Sequence, residues 1–229
     1  MEQIMKSARI QKQPVIKGDL NLINQQSIRT LAADEVFAFR LAACDTLPDR
    51  DHERFSREAL EGLAKLFVGR PVLRDHQWSA GAQTARIYAA RVEGDGPDAR
   101  LILRAYMPRN RDTETTIAAI ESGILREASV GCRMRKAVCS ICGTDKTMAQ
   151  CTHIPGRVYE GKTCIVELDG PEDAYECSLV AVPAQPGAGI IKAYGGETRS
   201  APDSGGTDAL LLAQAIQEQE EKRYGGDFT

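Results

Sequence analysis

The feature that most constrains this chain is a succession of short apolar or alternating runs, each cut off within about ten residues by Pro, Gly, Asp or Asn. Runs of this length and pattern read as strands, and the punctuating residues read as the turns between them. Val15 to Ile23 alternates weakly and is predicted as a first strand, and Val36 to Cys44 as a stronger second. Thr46-Leu-Pro-Asp-Arg-Asp51 is predicted as a turn, and Ser56 as the N-cap of a helix carrying Leu60, Leu63, Ala64 and Phe67, ended by Gly69. Pro71 to Leu73, Ala85 to Val92 and Ala99 to Tyr106 follow as strands, the last two joined by the turn-rich Glu93-Gly-Asp-Gly-Pro97. A second helix is predicted around Asp112 to Ser122, and further strands over Ala128 to Arg135, Val158 to Glu167 and Ala174 to Val182. Many strands, few helices and little strand–helix–strand rhythm predict an α+β fold, mainly an antiparallel β-barrel or sandwich flanked by a few helices.

At 229 residues the chain is long enough for one substantial domain. The expected organisation is a flexible N-terminus over 1–12, a main domain over 13–196, a linker over 197–207 and a C-terminal helical tail over 208–229. The linker is read from Glu197-Thr-Arg-Ser-Ala-Pro-Asp-Ser-Gly-Gly-Thr207, and the tail from the polar, Gln/Glu-rich stretch Ala209 to Arg223. A formal net charge of −3 gives no general reason to expect nucleic-acid binding. No run approaches the roughly 18 apolar residues of a membrane span, and the polar start lacks the apolar middle of a signal peptide, so a cytoplasmic location is expected.

Seven cysteines, an odd number, argue against a closed disulfide framework. Three of them stand with a histidine in Cys139-Ser-Ile-Cys142…Cys151-Thr-His153, spaced C-x2-C-x8-C-x-H. Thiolates and imidazole in a set of four suit tetrahedral zinc, and Gly143 fits the tight turn after the first pair. The reading is a closed structural zinc site, one per chain, stapling a knuckle-like loop inserted over 136–157. Unliganded cysteines are the alternative. Cys44, Cys132, Cys164 and Cys177 read as small buried residues.

A second constellation is spread along the chain. Ser129 lies in Glu127-Ala-Ser-Val-Gly131, His76 in Leu73-Arg-Asp-His76-Gln-Trp78, and Glu176 in Tyr175-Glu-Cys-Ser-Leu-Val180. A hydroxyl, an imidazole and a carboxylate are the parts of an acyl-transfer site: the serine needs a base to attack a carbonyl, and the base needs an orienting group. Of the three histidines, His52 sits in a charged turn and His153 with the cysteines, which leaves His76 as the candidate base. Gly131 and Arg133 are candidates for support of an oxyanion or substrate. Read alone, each residue has a plain structural alternative: Ser129 as packing, His76 as an imidazole bonded to backbone, Glu176 on the outward face of its strand.

The order His76, then Glu127-Ala-Ser-Val-Gly131, then Glu176-Cys-Ser-Leu-Val-Ala-Val-Pro-Ala184-Gln-Pro resembles the prohead (capsid maturation) proteases of tailed bacteriophages, which are related in fold to the herpesvirus assemblins. That family has a His first, then a Ser in a Ser-(Ile/Val)-Gly step, then a Glu-x-Ser-Leu-Val strand near a Pro-Ala-x-Pro end. The similarity runs from about Phe37 to Tyr194. It implies an antiparallel barrel and a serine endopeptidase using Ser129, His76 and Glu176. Its substrate would be the scaffold or delta segment of a capsid protein, with self-cleavage, inside the immature capsid in the host cytoplasm; a homo-oligomer stays open. The assemblins place a second His where Glu176 stands, and the cysteine loop is a departure of this chain. A catalytically inactive, zinc-stapled scaffolding protein of the phage head is the rival reading.

Overall fold

The computed structural model describes residues 17–194. The expected N-terminal segment 1–12, the linker and the C-terminal helical tail lie outside the described residues. The described part is α+β: a mixed eight-stranded sheet, a separate two-stranded hairpin and three α-helices.

The helix predicted after Ser56 is α2 (Arg57–Phe67), and Ser56 caps it by accepting a hydrogen bond from the Ala59 amide at 3.0 Å. Its apolar stripe, Ala59, Leu60, Leu63 and Phe67, is fully buried against the sheet. The strands predicted over Val36 to Cys44, Pro71 to Leu73, Ala85 to Val92 and Ala99 to Tyr106 are β1 (Val36–Asp45), β3 (Pro71–Arg74), β4 (Ala85–Glu93) and β5 (Arg100–Pro108). The second helix is α3 (Glu114–Glu121), followed by β6 (Ala128–Cys139).

Three local expectations are corrected. Val15 to Ile23 does not form a strand where it is described: Lys17–Asn24 is the helix α1. Ile23 is buried there in a small cluster with Val36, Tyr88 and Tyr106, and Asp19 pairs with Arg104 of the sheet. Packing on the sheet overrides the weak alternation. The run Val158 to Glu167 is not one strand but a hairpin, β7 (Val158–Tyr159) and β8 (Lys162–Thr163), followed by the start of β9. Glu160 and Gly161, with φ of 49° and 78°, make its turn. The strand expected over Ala174 to Val182 is the end of the longer β9 (Val166–Leu179). Two short strands, β2 (Glu53–Phe55) and β10 (Gly189–Tyr194), carry no clear pattern of their own in the sequence.

The sheet order is β10-β1-β5-β4-β3-β9-β2, with β6 on the other side of β9. The expected antiparallel pairing holds for most of the strands, but the expected barrel is corrected here. Both β2 and β3 run parallel to β9, because α2 returns the chain between them as a crossover helix does. No closed barrel forms among the described residues: between the β10 and β6 ends the pairing is one isolated bridge, Glu127 with Gly189. The main core lies between the sheet and α2, built from Phe37, Phe39, Leu41, Leu63, Phe67 and Leu103 among others.

Leu63 is wholly buried at the centre of that contact. Leu63→Ala is expected to destabilise the protein by about 2–5 kcal/mol, read as a lower urea midpoint at unchanged m-value.

Candidate functional site

Strands β6 and β9 form one long antiparallel ladder in which Ser129 stands opposite Ser178 and Gly131 opposite Glu176. Ala128, Cys177 and Leu179 point into the core. By the alternation of a strand, Ser129, Gly131, Glu176 and Ser178 therefore share the opposite face. The register then slips, since Cys132 pairs with Ala174 and leaves Tyr175 as an extra residue. Such a bulge turns two successive side chains toward one face, here Tyr175 and Glu176.

His76 comes to this face from β3, which is aligned with the end of β9: Leu73 lies beside Ser178 and Arg74 beside Leu179. The chain then turns sharply. Asp75 and His76 both take left-handed φ, 50° and 53°, and the Gln77 amide bonds back to the Arg74 carbonyl at 3.0 Å. A turn with two left-handed central residues normally carries Asn or Gly, so holding Asp and His there costs on the order of 1–3 kcal/mol per residue. Strain of this kind persists where the surroundings fix it.

What fixes it is a ring of three hydrogen bonds. The His76 ring Nδ1 lies 2.7 Å from Glu176 Oε1, the Ser178 hydroxyl donates to Glu176 Oε2 at 2.5 Å, and the His76 amide donates to the Ser178 hydroxyl at 3.0 Å. The Glu176 side chain is only 2% exposed, and a carboxylate at that depth is costly unless both oxygens are bonded. With a carboxylate on Nδ1 the imidazole carries its proton there, which leaves Nε2 as a base. The ring itself is 43% exposed and accessible.

Histidine and glutamate are thus joined as a dyad. Ser129 is one cross-strand position away, its Cβ within about 4.5–5.5 Å of that of Ser178 by sheet geometry. Among the described residues no hydrogen bond joins Ser129 to His76. Gly131 serves a purpose that spacing did not reveal. A Cβ at this position would stand 2.5 Å from Glu176 Oε1, so the missing side chain is the space the carboxylate occupies. Arg133 is engaged by Glu172 at 2.9 Å. Ser178 is the residue of the candidate site that sequence reasoning missed. The signal was the i, i+2 spacing of Glu-x-Ser on a strand, which puts both side chains on one face.

The second cluster lies at the far end of the same ladder. Cys139 closes β6 opposite Val166, and the ligand atoms of Cys139, Cys142, Cys151 and His153 all lie within 4.8 Å of one another. A tetrahedral zinc with Zn–S of about 2.3 Å needs S···S edges near 3.8 Å and S···N edges near 3.6 Å. Cys142 and Cys151 sulfurs are 3.6 Å apart, and Cys151 sulfur is 3.5 Å from His153 Nδ1, so the donor set fits. Gly143, at φ 72°, makes the turn behind Cys142. His153 is held edge-on against Tyr159 at 4.6 Å, with the Lys146 ammonium on its carbonyl at 2.8 Å.

Two of the three thiols are biased toward the ligating form, while burial pushes Cys151 up. At Cys139 burial opposes ionisation, but amides of Cys142 and Ile141 and the neighbouring sulfurs outweigh it and bring the thiol down to about 7. At Cys142 the Thr144 hydroxyl and amide favour the thiolate. Cys164, expected to be plain buried packing, stands with its sulfur 3.8 Å from that of Cys139 and so borders the cluster. Cys139, Cys142, Cys151 and His153 can therefore hold a metal such as zinc.

No family model matches the chain, and no curated protein matches it either.

Two outcomes are expected. Protein purified under reducing conditions carries about one zinc per chain by elemental analysis, and Cys142→Ser loses it. Gly131→Ala displaces the Glu176 carboxylate. The downfield proton resonance of a carboxylate-bound His76 Nδ1–H then disappears, at a stability cost of about 1–3 kcal/mol.

Proposed function

We propose that this chain is a serine endopeptidase of the prohead maturation type, acting on the scaffold or delta segment of a capsid protein and on itself. One observation carries the reading. A strained, exposed histidine is bonded through Nδ1 to a buried carboxylate, and Ser129 lies on the same sheet face, directly across from the Ser178 that bonds this pair. A purely structural imidazole has no need of a buried carboxylate partner and an accessible second nitrogen together.

In this mechanism Ser129 Oγ attacks the peptide carbonyl while His76 Nε2 takes the hydroxyl proton. Glu176 keeps the proton on Nδ1 and stabilises the imidazolium that forms. His76 then protonates the leaving amine, and the same nitrogen activates water to hydrolyse the acyl-enzyme. A rotation of the serine side chain about χ1 is the movement the mechanism requires. Ser178 is a positioning residue: its hydroxyl is fully buried, gives its proton to Glu176 and accepts the His76 amide, so it is not the nucleophile. Zinc, when held by the cysteine loop, has a structural part only, since Cys139, Cys142, Cys151 and His153 supply all four donors.

The absence of a Ser129–His76 hydrogen bond among the described residues favours one second reading, a zinc-stapled scaffolding protein without turnover. A fluorophosphonate probe separates the two. In the enzyme reading it labels Ser129 of the full-length protein, and Ser129→Ala abolishes labelling while keeping fold and zinc. His76→Ala lowers the labelling rate roughly 10³-fold or more. Processing of a co-expressed capsid scaffold stops in both variants. Absence of labelling in the wild type, with zinc and fold intact, supports the scaffolding reading.

A further inference from the structure

The face that carries Ser129, Glu176 and His76 continues, on the β3 side of Glu176, into a cavity of about 350 Å³. Pro71 and Leu73 of β3 form its floor, Trp78 and Tyr175 its walls, and Glu176 the edge it shares with the dyad. The walls are products of the two irregularities already described. The bulge in β9 turns Tyr175 toward the side of Glu176, and the left-handed turn at Asp75 and His76 brings Trp78 back against it. The two rings meet at 5.3 Å between centroids, tilted by 56°. Trp78 nevertheless stays 71% exposed, a large indole face left in water beside a nearly buried leucine. Covering such a face with an apolar group is favourable.

The charges around the cavity are all committed. Arg70 at its rim pairs with Asp173 at 2.8 Å and also bonds the Leu66 carbonyl. Both oxygens of Glu176 are taken by His76 and Ser178. A charged group entering the cavity finds no unpaired counter-charge, whereas an apolar group finds Leu73, Trp78 and Tyr175.

We propose that this cavity receives one apolar side chain, of leucine to phenylalanine size, from a peptide bound across Ser129, which makes Trp78, Tyr175 and Leu73 specificity-determining residues. The proposal rests on the peptidase reading, yet binding can be measured apart from turnover. Trp78 is the only tryptophan in the chain, so its emission reports on the cavity directly. Full-length Ser129→Ala protein is titrated with N-acetylated, C-amidated hexapeptides of Gly, Ser and Ala carrying one Leu, Phe, Ala, Lys or Glu. The Leu and Phe peptides should give a saturable blue shift, at least about tenfold tighter than the Ala peptide. The Lys and Glu peptides should give none.

In the same background Tyr175→Ala should erase the preference for Leu. Ala80→Glu, a change at an exposed wall position, should weaken the Leu peptide and admit the Lys peptide. No shift with any peptide, or equal shifts with all five, overturns the proposal. Fluorophosphonate labelling of wild-type Ser129 without peptide discrimination would sink the cavity assignment alone. Discrimination without labelling would sink the peptidase reading and leave a peptide-binding pocket.

Discussion

A carboxylate buried on a sheet face imposes conditions on everything near it, and at Glu176 those conditions shape the candidate site. With 2% of its side chain exposed, the group must have partners for both oxygens. One comes from its own strand, two residues on, as the Ser178 hydroxyl. The other comes from a separate strand as the His76 ring. Room for the carboxylate comes from the facing strand, where Gly131 has no side chain. Removing any of these leaves a buried oxygen unpaired or displaced, and such a loss costs more than the mean worth of a hydrogen bond. The left-handed backbone at Asp75 and His76 is then the strain that this network sustains.

The β6–β9 ladder carries that site at one end and the Cys/His cluster at the other. Ser129 pairs with Ser178 near its start, and Cys139 pairs with Val166 at its finish. Ser129 and Cys139 are ten residue steps apart along β6, about 34 Å at full extension and less across the bulges. The segment 140–157, by contrast, has no helix or strand longer than an isolated bridge. A loop of this length without regular structure needs another source of order. Hydrogen bonds supply part of it, with Asp145 accepting from Ala137 and Thr147. Cys139, Cys142, Cys151 and His153 are placed to supply more, since a metal held by all four would tie the two ends of the loop together.

Strong local signals survived into the fold, and pairing between distant segments did not announce itself. Ser56, the spaced leucines and Gly69 fixed α2 because cap, stripe and stop all agree within a dozen residues. The cysteine spacing was legible for the same reason: metal geometry restricts local spacing tightly. By contrast, parallel pairing of β2 and β3 with β9 depends on where α2 returns the chain, which no run of residues encodes by itself. The weak alternation of Val15 to Ile23 does not reveal the helix over Lys17–Asn24, because Ile23 finds its partners, Tyr88 and Tyr106, far along the sequence. Gly131 and Ser178 were within reach of sequence reasoning as strand neighbours, but only once the register of β6 on β9 is known do they fall into place around Glu176.

The two thiols nearest the candidate site differ from its hydroxyls in both position and chemistry. Cys132 follows Gly131, and Cys177 stands between Glu176 and Ser178, so both are adjacent in sequence. Strand alternation sends them to the core side, where Cys177 is fully buried and Cys132 packs against the same cluster. Burial, reinforced by the charge of Glu176, pushes Cys132 up to about 11 and raises Cys177 as well. Neither is an available thiolate near neutral pH, whatever its distance from His76. In the proposed peptidase Ser129, one step before Val130 on the open face, would need no depressed pKa of its own, because a base with its proton fixed on the far nitrogen can take the hydroxyl proton as the new bond forms. The difference between the two faces of β6 and β9 thus follows from alternation: thiols inward in the packing, oxygens outward on the face of the candidate site.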